Sequence, residues 1–136
     1  MIVLDASLTI DWLFEQQITS PSSSVYGELL RSTVIVPSHW SLEISNTLQP
    51  DLRDNKISIA DFQLIMERLD GLAIRIQPPI DLDEIGPVSQ FAVTHGLTSH
   101  DAVYIQLAIQ HEATLATLDK AMRRAATRLN IPLLPV

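Results

Sequence analysis

Short apolar runs alternate along the whole chain with longer stretches whose apolar positions recur every three or four residues. Residues 2–4 (IVL), 33–36 (TVIV), 73–76 (AIRI) and 114–117 (TLAT) are the short runs, and they predict strands, the first and last of them deeply covered. Residues 131–136 (IPLLPV) hold a further short strand. Helical spacing fills the intervals. The first helix is predicted over 8–15 with Ser7 as its cap, the second over 25–31 after the loop and cap cluster TSPSSS at 19–24. A third starts after Ser38, carries His39, Trp40, Leu42, Glu43, Ile44 and Leu48, and ends or kinks at Pro50, where the backbone donor is missing. Ser58 and Asp61 form a capping box for a fourth, with Ile59, Phe62, Ile65, Met66 and Leu69 on one stripe and Gly71 as its stop. A fifth covers about 87–95. The sixth follows the caps Thr98 and Ser99, with Ala102, Ile105 and Ile109 on one face and Val103, Leu107 and Ala108 widening it, so it should lie in the middle of the fold. A seventh begins at Asp119.

Short apolar strands alternating with one or two helices imply a parallel sheet with helices on both faces. A length of 136 residues suits one domain over 1–136 with a real core. No repeat, linker or low-complexity segment interrupts it.

In open parallel sheets ligands bind beyond the carboxyl ends of the strands. Asp5 directly follows the first strand, Asp119 follows the fourth by two residues, and Glu43 lies in the first turns of the helix after the second. Asp101 opens another helix and joins them if that helix starts at the same edge. A lone Asp at a helix start is usually a cap or dipole partner, the role assigned to Asp11, Asp61 and Asp81, and a lone helix glutamate such as Glu43 is usually solvated; only the joint placement points to a site. Together the four would repel one another and raise each other's pKa. A hard divalent cation, Mg²⁺ or Mn²⁺, resolves that conflict with oxygen ligands. Two such ions about 4 Å apart would activate water and stabilise a leaving oxygen in phosphodiester hydrolysis. Ser7 and Thr117, two residues from their acids, either orient a carboxylate or metal-bound water or serve as simple cap and strand residues. His100 adjoins Asp101, but neighbours on a helix point about 100° apart. His39, His95 and His111 lack zinc-type spacing.

Composition narrows the classes. With 46% hydrophobic and 18% charged residues the chain is globular, and no apolar run reaches the roughly 20 residues of a membrane helix. No basic leader precedes an apolar stretch, and cysteine is absent, so a cytoplasmic location is expected and thiolate metal sites are excluded. The net charge of −7 argues against nonspecific nucleic-acid binding over the whole surface, although the four candidate ligands supply four of those negative charges. Lys120, Arg123, Arg124 and Arg128 form a basic stripe opposite Met122, Ala125, Ala126 and Leu129; it is either a solvated face or a contact for backbone phosphates.

The segments VLDASLTIDWL, VPSHWSLEISNTL and LTSHDAVYIQLAIQHEATLATLD, with their spacing, resemble the PIN domain, in particular the VapC-like toxins of toxin–antitoxin pairs. The DAxYxxLA helix followed by T-L-D is the specific part. The resemblance implies a three-layer α/β/α fold around a mostly parallel sheet of four to five strands, and a Mg²⁺- or Mn²⁺-dependent endoribonuclease. Asp5, Glu43, Asp101 and Asp119 fall on the family's acidic positions, Ser7 and Thr117 on positions that often carry small hydroxyls. It also implies a homodimer and a small antitoxin that inserts a side chain into the acidic pocket. The chain departs from the pattern in SNTLQPDLRDNK, where Pro50 and Asp51 replace the usual arginine-bearing helix, and at His100, where a less polar residue is usual. A PIN fold retained for binding or regulation is the alternative. An aspartyl-phosphate enzyme would want a second Asp where Ser7 stands, and a receiver domain would want paired acids after the first strand.

Overall fold

The computed structural model of the chain describes residues 1–14 and 23–136. Most of the loop and cap cluster at 19–24, and the predicted end of the first helix at Glu15, lie outside the described residues. Five strands form one sheet: β1 (Ile2–Leu4), β2 (Val34–Val36), β3 (Ile74–Ile76), β4 (Thr114–Ala116) and β5 (Leu133–Leu134). Every pairing is parallel, in the order β3-β2-β1-β4-β5. The helices α1 (Ala6–Phe14), α2 (Ser23–Leu30), α3 (Trp40–Arg53), α4 (Ile59–Asp70), α5 (Ile85–His95), α6 (Ser99–Gln110) and α7 (Lys120–Arg128) cover its two faces in a three-layer α/β/α arrangement.

The central strands are buried throughout: Val3, Leu4, Val34, Val36, Leu115 and Ala116 expose nothing, and Leu8, Tyr104, Ile105 and Met122 seal the layers above and below. Such strands read as unbroken apolar runs because both faces are covered. The edge strand β3 is less buried, with Ile76 57% exposed.

Several predicted boundaries change. The first helix begins directly after Asp5, so Ser7 lies inside it and does not cap it. Helix α3 runs through Pro50 to Arg53. The proline deprives only the carbonyl of Asn46 of a partner, and Asn46 is exposed, so water replaces the missing donor. Helix α5 starts two residues before Pro87, after a 3-10 turn (Leu82–Glu84), and the proline falls in the first turn, where no intrahelical donor is required. It stops at Gly96, whose φ of 66° is the left-handed conformation that glycine adopts without strain. The buried side of α6 is Ala102, Tyr104, Ile105, Leu107 and Ala108, whereas Ile109 is 46% exposed. On α4 only Ile65 of the expected stripe is fully buried, and Ile59 is largely exposed. The Ser58–Asp61 capping box is present with both reciprocal bonds.

Strand order determines where a site can form. The chain lays β2 and β3 on one side of β1, then crosses to lay β4 and β5 on the other. Connections therefore diverge between β1 and β4, which opens a crevice beyond their carboxyl ends.

Candidate metal centre

Asp5 stands at that crevice. Its N–H donates to Ala116 O at 3.0 Å, which continues the β1–β4 ladder by one residue before α1 begins. The side chain is 4% exposed, and Oδ2 accepts from Ser7 Oγ at 2.5 Å and Thr117 Oγ1 at 2.7 Å. Burial raises the Asp5 pKa, the two hydroxyls partly offset that rise, and the charge of Asp119 adds to it. The Asp5 carbonyl accepts from Thr9 Oγ1 at 2.8 Å, and Thr9 Oγ1 in turn accepts from Trp40 Nε1 at 3.3 Å. A buried relay thus ties the end of β1 to the start of α3, where Glu43 sits.

Thr117, fully buried after β4, connects two acids. Its hydroxyl donates to Asp5 and accepts the Asp119 N–H at 3.0 Å. Asp119 caps α7, with Oδ1 accepting from Met122 N at 2.9 Å. Capping and membership of the acidic group are therefore compatible in this residue. Asp101 occupies the first turn of α6, where its N–H donates to the Thr98 cap at 3.2 Å. It is half-buried; burial and the charges of Asp119 and Asp5 raise its pKa, while Thr98 and His100 act against the rise. Glu43, in the first turn of α3, accepts from Tyr104 Oη at 3.0 Å on Oε1. Burial raises its pKa first; the Tyr104 hydrogen bond lowers it, and the charges of Asp5 and Asp101 raise it.

Four acids from four separate segments thus share one field, since Asp5, Glu43 and Asp101 each respond to the charge of at least one other. Among the described residues, the acids whose oxygens come within 4.8 Å of one another three at a time are Asp81, Asp83 and Glu84. Those are exposed, and the Glu84 carboxylate and the Asp81 side chain form the reciprocal cap of the 3-10 turn. The pocket acids stand more openly. Their donor set, carboxylate oxygens whose pKa values burial and mutual charge raise, is of the kind a hard divalent cation prefers.

Three aromatic residues to which the sequence reading gave no role line the Glu43 side. The His39 ring stacks on His100 with centroids 4.6 Å apart and meets Tyr104 edge-on at 5.3 Å. His39 Nε2 lies 3.4 Å from Glu43 Oε1, yet off the line of a hydrogen bond, and is buried without a partner among the described residues. Burial, then the neighbouring His100, lowers the His39 pKa. Burial and the nearby acids raise that of Tyr104, which keeps its hydroxyl a donor. The available signal was spacing: Tyr104 is three residues from Asp101, and His39 four from Glu43, so each shares a helix face with its acid.

The basic stripe does not act as one unit. Arg123 turns inward, where its guanidinium donates to the carbonyls of Thr117 (2.9 Å), Leu134 (3.4 Å) and Pro135 (2.8 Å) and clamps the C-terminal segment to the β4 end. Arg128 donates to His95 O at 3.1 Å. Lys120 and Arg124 are exposed. Arg123, Arg124, Thr127 and Arg128 line an open groove of about 380 Å³ beside Leu133.

A parallel α/β sheet with acids gathered at its switch point defines a class of carboxylate-centred α/β domains. The chain belongs to the PIN domain family, whose model matches residues 2–128. PIN domains are in general metal-dependent nucleases. Among solved structures, PAE2754 from Pyrobaculum aerophilum is similar with a TM-score of 0.67 and 20% identity, over 91% of this chain and 78% of that one. FitAcB from Neisseria gonorrhoeae is similar with a TM-score of 0.65 and 22% identity, over 98% and 96%. FitAB bound to an IR36 DNA fragment gives 0.63 and 24% identity, over 98% and 94%. These three likenesses are of fold. Comparison with curated proteins finds no match.

Proposed function

We propose that the chain, as a single PIN domain over 1–136, is a Mg²⁺- or Mn²⁺-dependent endoribonuclease and the toxin of a toxin–antitoxin pair. The observation that carries this reading is the mutual charge effect among Asp5, Glu43, Asp101 and Asp119, with Asp5 buried as a carboxyl whose hydrogen-bond donors are hydroxyls and a backbone N–H and whose charged neighbour is another acid. Those four residues hold the metal. When bound, the ion supplies the positive charge that activates water and stabilises the leaving oxygen. Ser7 and Thr117 orient Asp5, and Thr117 also fixes the backbone from which Asp119 projects. Exposed Lys120 and Arg124 offer cations to phosphates flanking the cleaved bond. An RNA single strand or loop is the substrate, and a small antitoxin that places a cationic side chain among the acids is the inhibitor. A homodimer and a cytoplasmic location go with this reading, and no described helix is long and apolar enough to cross a membrane.

The test is cleavage of a mixed RNA substrate by purified protein in Mg²⁺ or Mn²⁺, alongside growth after induction. Wild type should cleave and arrest growth, and both effects should be lost in Asp101→Asn; cleavage should also stop in excess EDTA. Cleavage that persists in EDTA would refute the mechanism, and RNA binding without cleavage under all metal conditions would make the chain a binding protein of PIN fold.

A further inference from the structure

Glu43 differs from the other acids in how it is held. Asp5, Asp101 and Asp119 are short side chains tied to strand ends or helix caps. Glu43 is longer, with three side-chain torsions to restrict, and it projects from the first turn of α3. Its Oε1 takes the Tyr104 hydroxyl at 3.0 Å, and no described residue donates to Oε2. Tyr104 is fully buried, so its hydroxyl is delivered by a ring that cannot move independently. The His39 ring stands edge-on to Tyr104 and flat against His100, which leaves Glu43 bounded on that side by aromatic surface. Helix α6 therefore supplies Asp101 and, one turn on, the hydroxyl that orients an acid of a different helix.

We infer that Tyr104, backed by the His39–His100 stack, is a positioning residue that locks Oε1 of Glu43 and presents Oε2 to a divalent cation. This rests on the reading of Glu43 as a cation-binding carboxylate. Orienting partners of metal ligands commonly matter 10- to 100-fold in affinity, because an unheld ligand must be ordered at the moment of binding.

Mn²⁺ affinity, measured by calorimetry on the full chain without RNA, tests it in a cycle of wild type, Tyr104→Phe, Glu43→Gln and the double variant. Phenylalanine keeps the ring and its contact with His39 and removes only the hydroxyl. Tyr104→Phe should weaken Mn²⁺ binding by roughly 10-fold or more, and the double variant should bind no more weakly than Glu43→Gln alone. A purely structural tyrosine would weaken binding by the same factor in both backgrounds, and that result overturns the inference, as does wild-type affinity in Tyr104→Phe. If Glu43→Gln binds Mn²⁺ as wild type does, Glu43 is no ligand, and the inference falls with that part of the site. Should Tyr104→Phe fail to fold, His39→Phe with the same cycle against Glu43→Gln replaces it. It should loosen the aromatic wall, weaken Mn²⁺ binding only when Glu43 is present, and overturn the inference if its factor is the same in both backgrounds.

Discussion

Removing the Thr117 hydroxyl while keeping its shape should be the most informative single change. Thr117→Val deletes the 2.7 Å donor to Asp5 Oδ2 and the 3.0 Å acceptor of the Asp119 N–H at a position with no exposure. A hydrogen bond to a charged group contributes about 1.5–3 kcal/mol. Asp119 is only half-buried, so water can satisfy its freed N–H, and the loss should stay near 2–3 kcal/mol in total. Unfolding entropy for a chain of this size is ~0.3 kcal/mol/K, which converts that loss to a Tm lower by about 7–10 °C. Thr117→Ser is the control. It keeps both hydrogen bonds and removes one buried methyl, about 1 kcal/mol, or some 3–4 °C. The assay is thermal unfolding at neutral pH in EDTA, with Mn²⁺ affinity on the same samples. Valine should be the more damaging of the two by both measures. If Thr117→Val melts with wild type, or if serine is worse than valine, methyl packing and not the hydroxyl holds this corner, and the account of Asp5 is wrong.

Burial raises the folded pKa of Asp5, Glu43 and Asp101, so the fold binds their protons more tightly than the unfolded chain does. Stability of the metal-free protein should therefore fall as pH rises from the ordinary carboxylate range through the raised folded values, and Asp5→Asn should flatten that fall and melt higher than wild type at neutral pH in EDTA; urea titrations across acid to neutral pH check this. Added Mg²⁺ should raise the wild-type Tm, with a stabilisation that grows with the logarithm of its concentration and reaches about 2.7 kcal/mol at a hundredfold excess over Kd, and should do so less in Asp5→Asn, which scanning calorimetry measures. The two adjacent arginines should separate. Arg123→Gln should destabilise the fold by 1–3 kcal/mol, about what hydrogen bonds to a charged group contribute, because it releases three carbonyls. Arg124→Gln should leave Tm unchanged, weaken RNA binding and reduce the salt slope by about one, if it contacts one phosphate.

Element type was legible in the sequence because it depends on local spacing. Period-free apolar runs marked the strands, and Ser58, Thr98 and Asp119 marked helix starts through side-chain oxygens that reach only the next turn. Chain direction alone put Asp5, Glu43 and Asp119 near one edge, since a parallel strand always delivers its next residue there. What the sequence left undetermined is which elements become neighbours. Thr117 and Asp5 lie 112 positions apart, and Tyr104 and Glu43 lie 61 apart; only the placing of β4 beside β1 and of α6 across α3 joins them. Helical periodicity assigned Arg123 to a polar face but could not tell solvent from the carbonyls of a C-terminal segment that returns beside it. The same limit applies to Ile109, which periodicity placed inside and packing left outside. Spacing states where a side chain points relative to its own helix or strand, whereas the partner it meets is chosen by the long-range packing of the whole sheet.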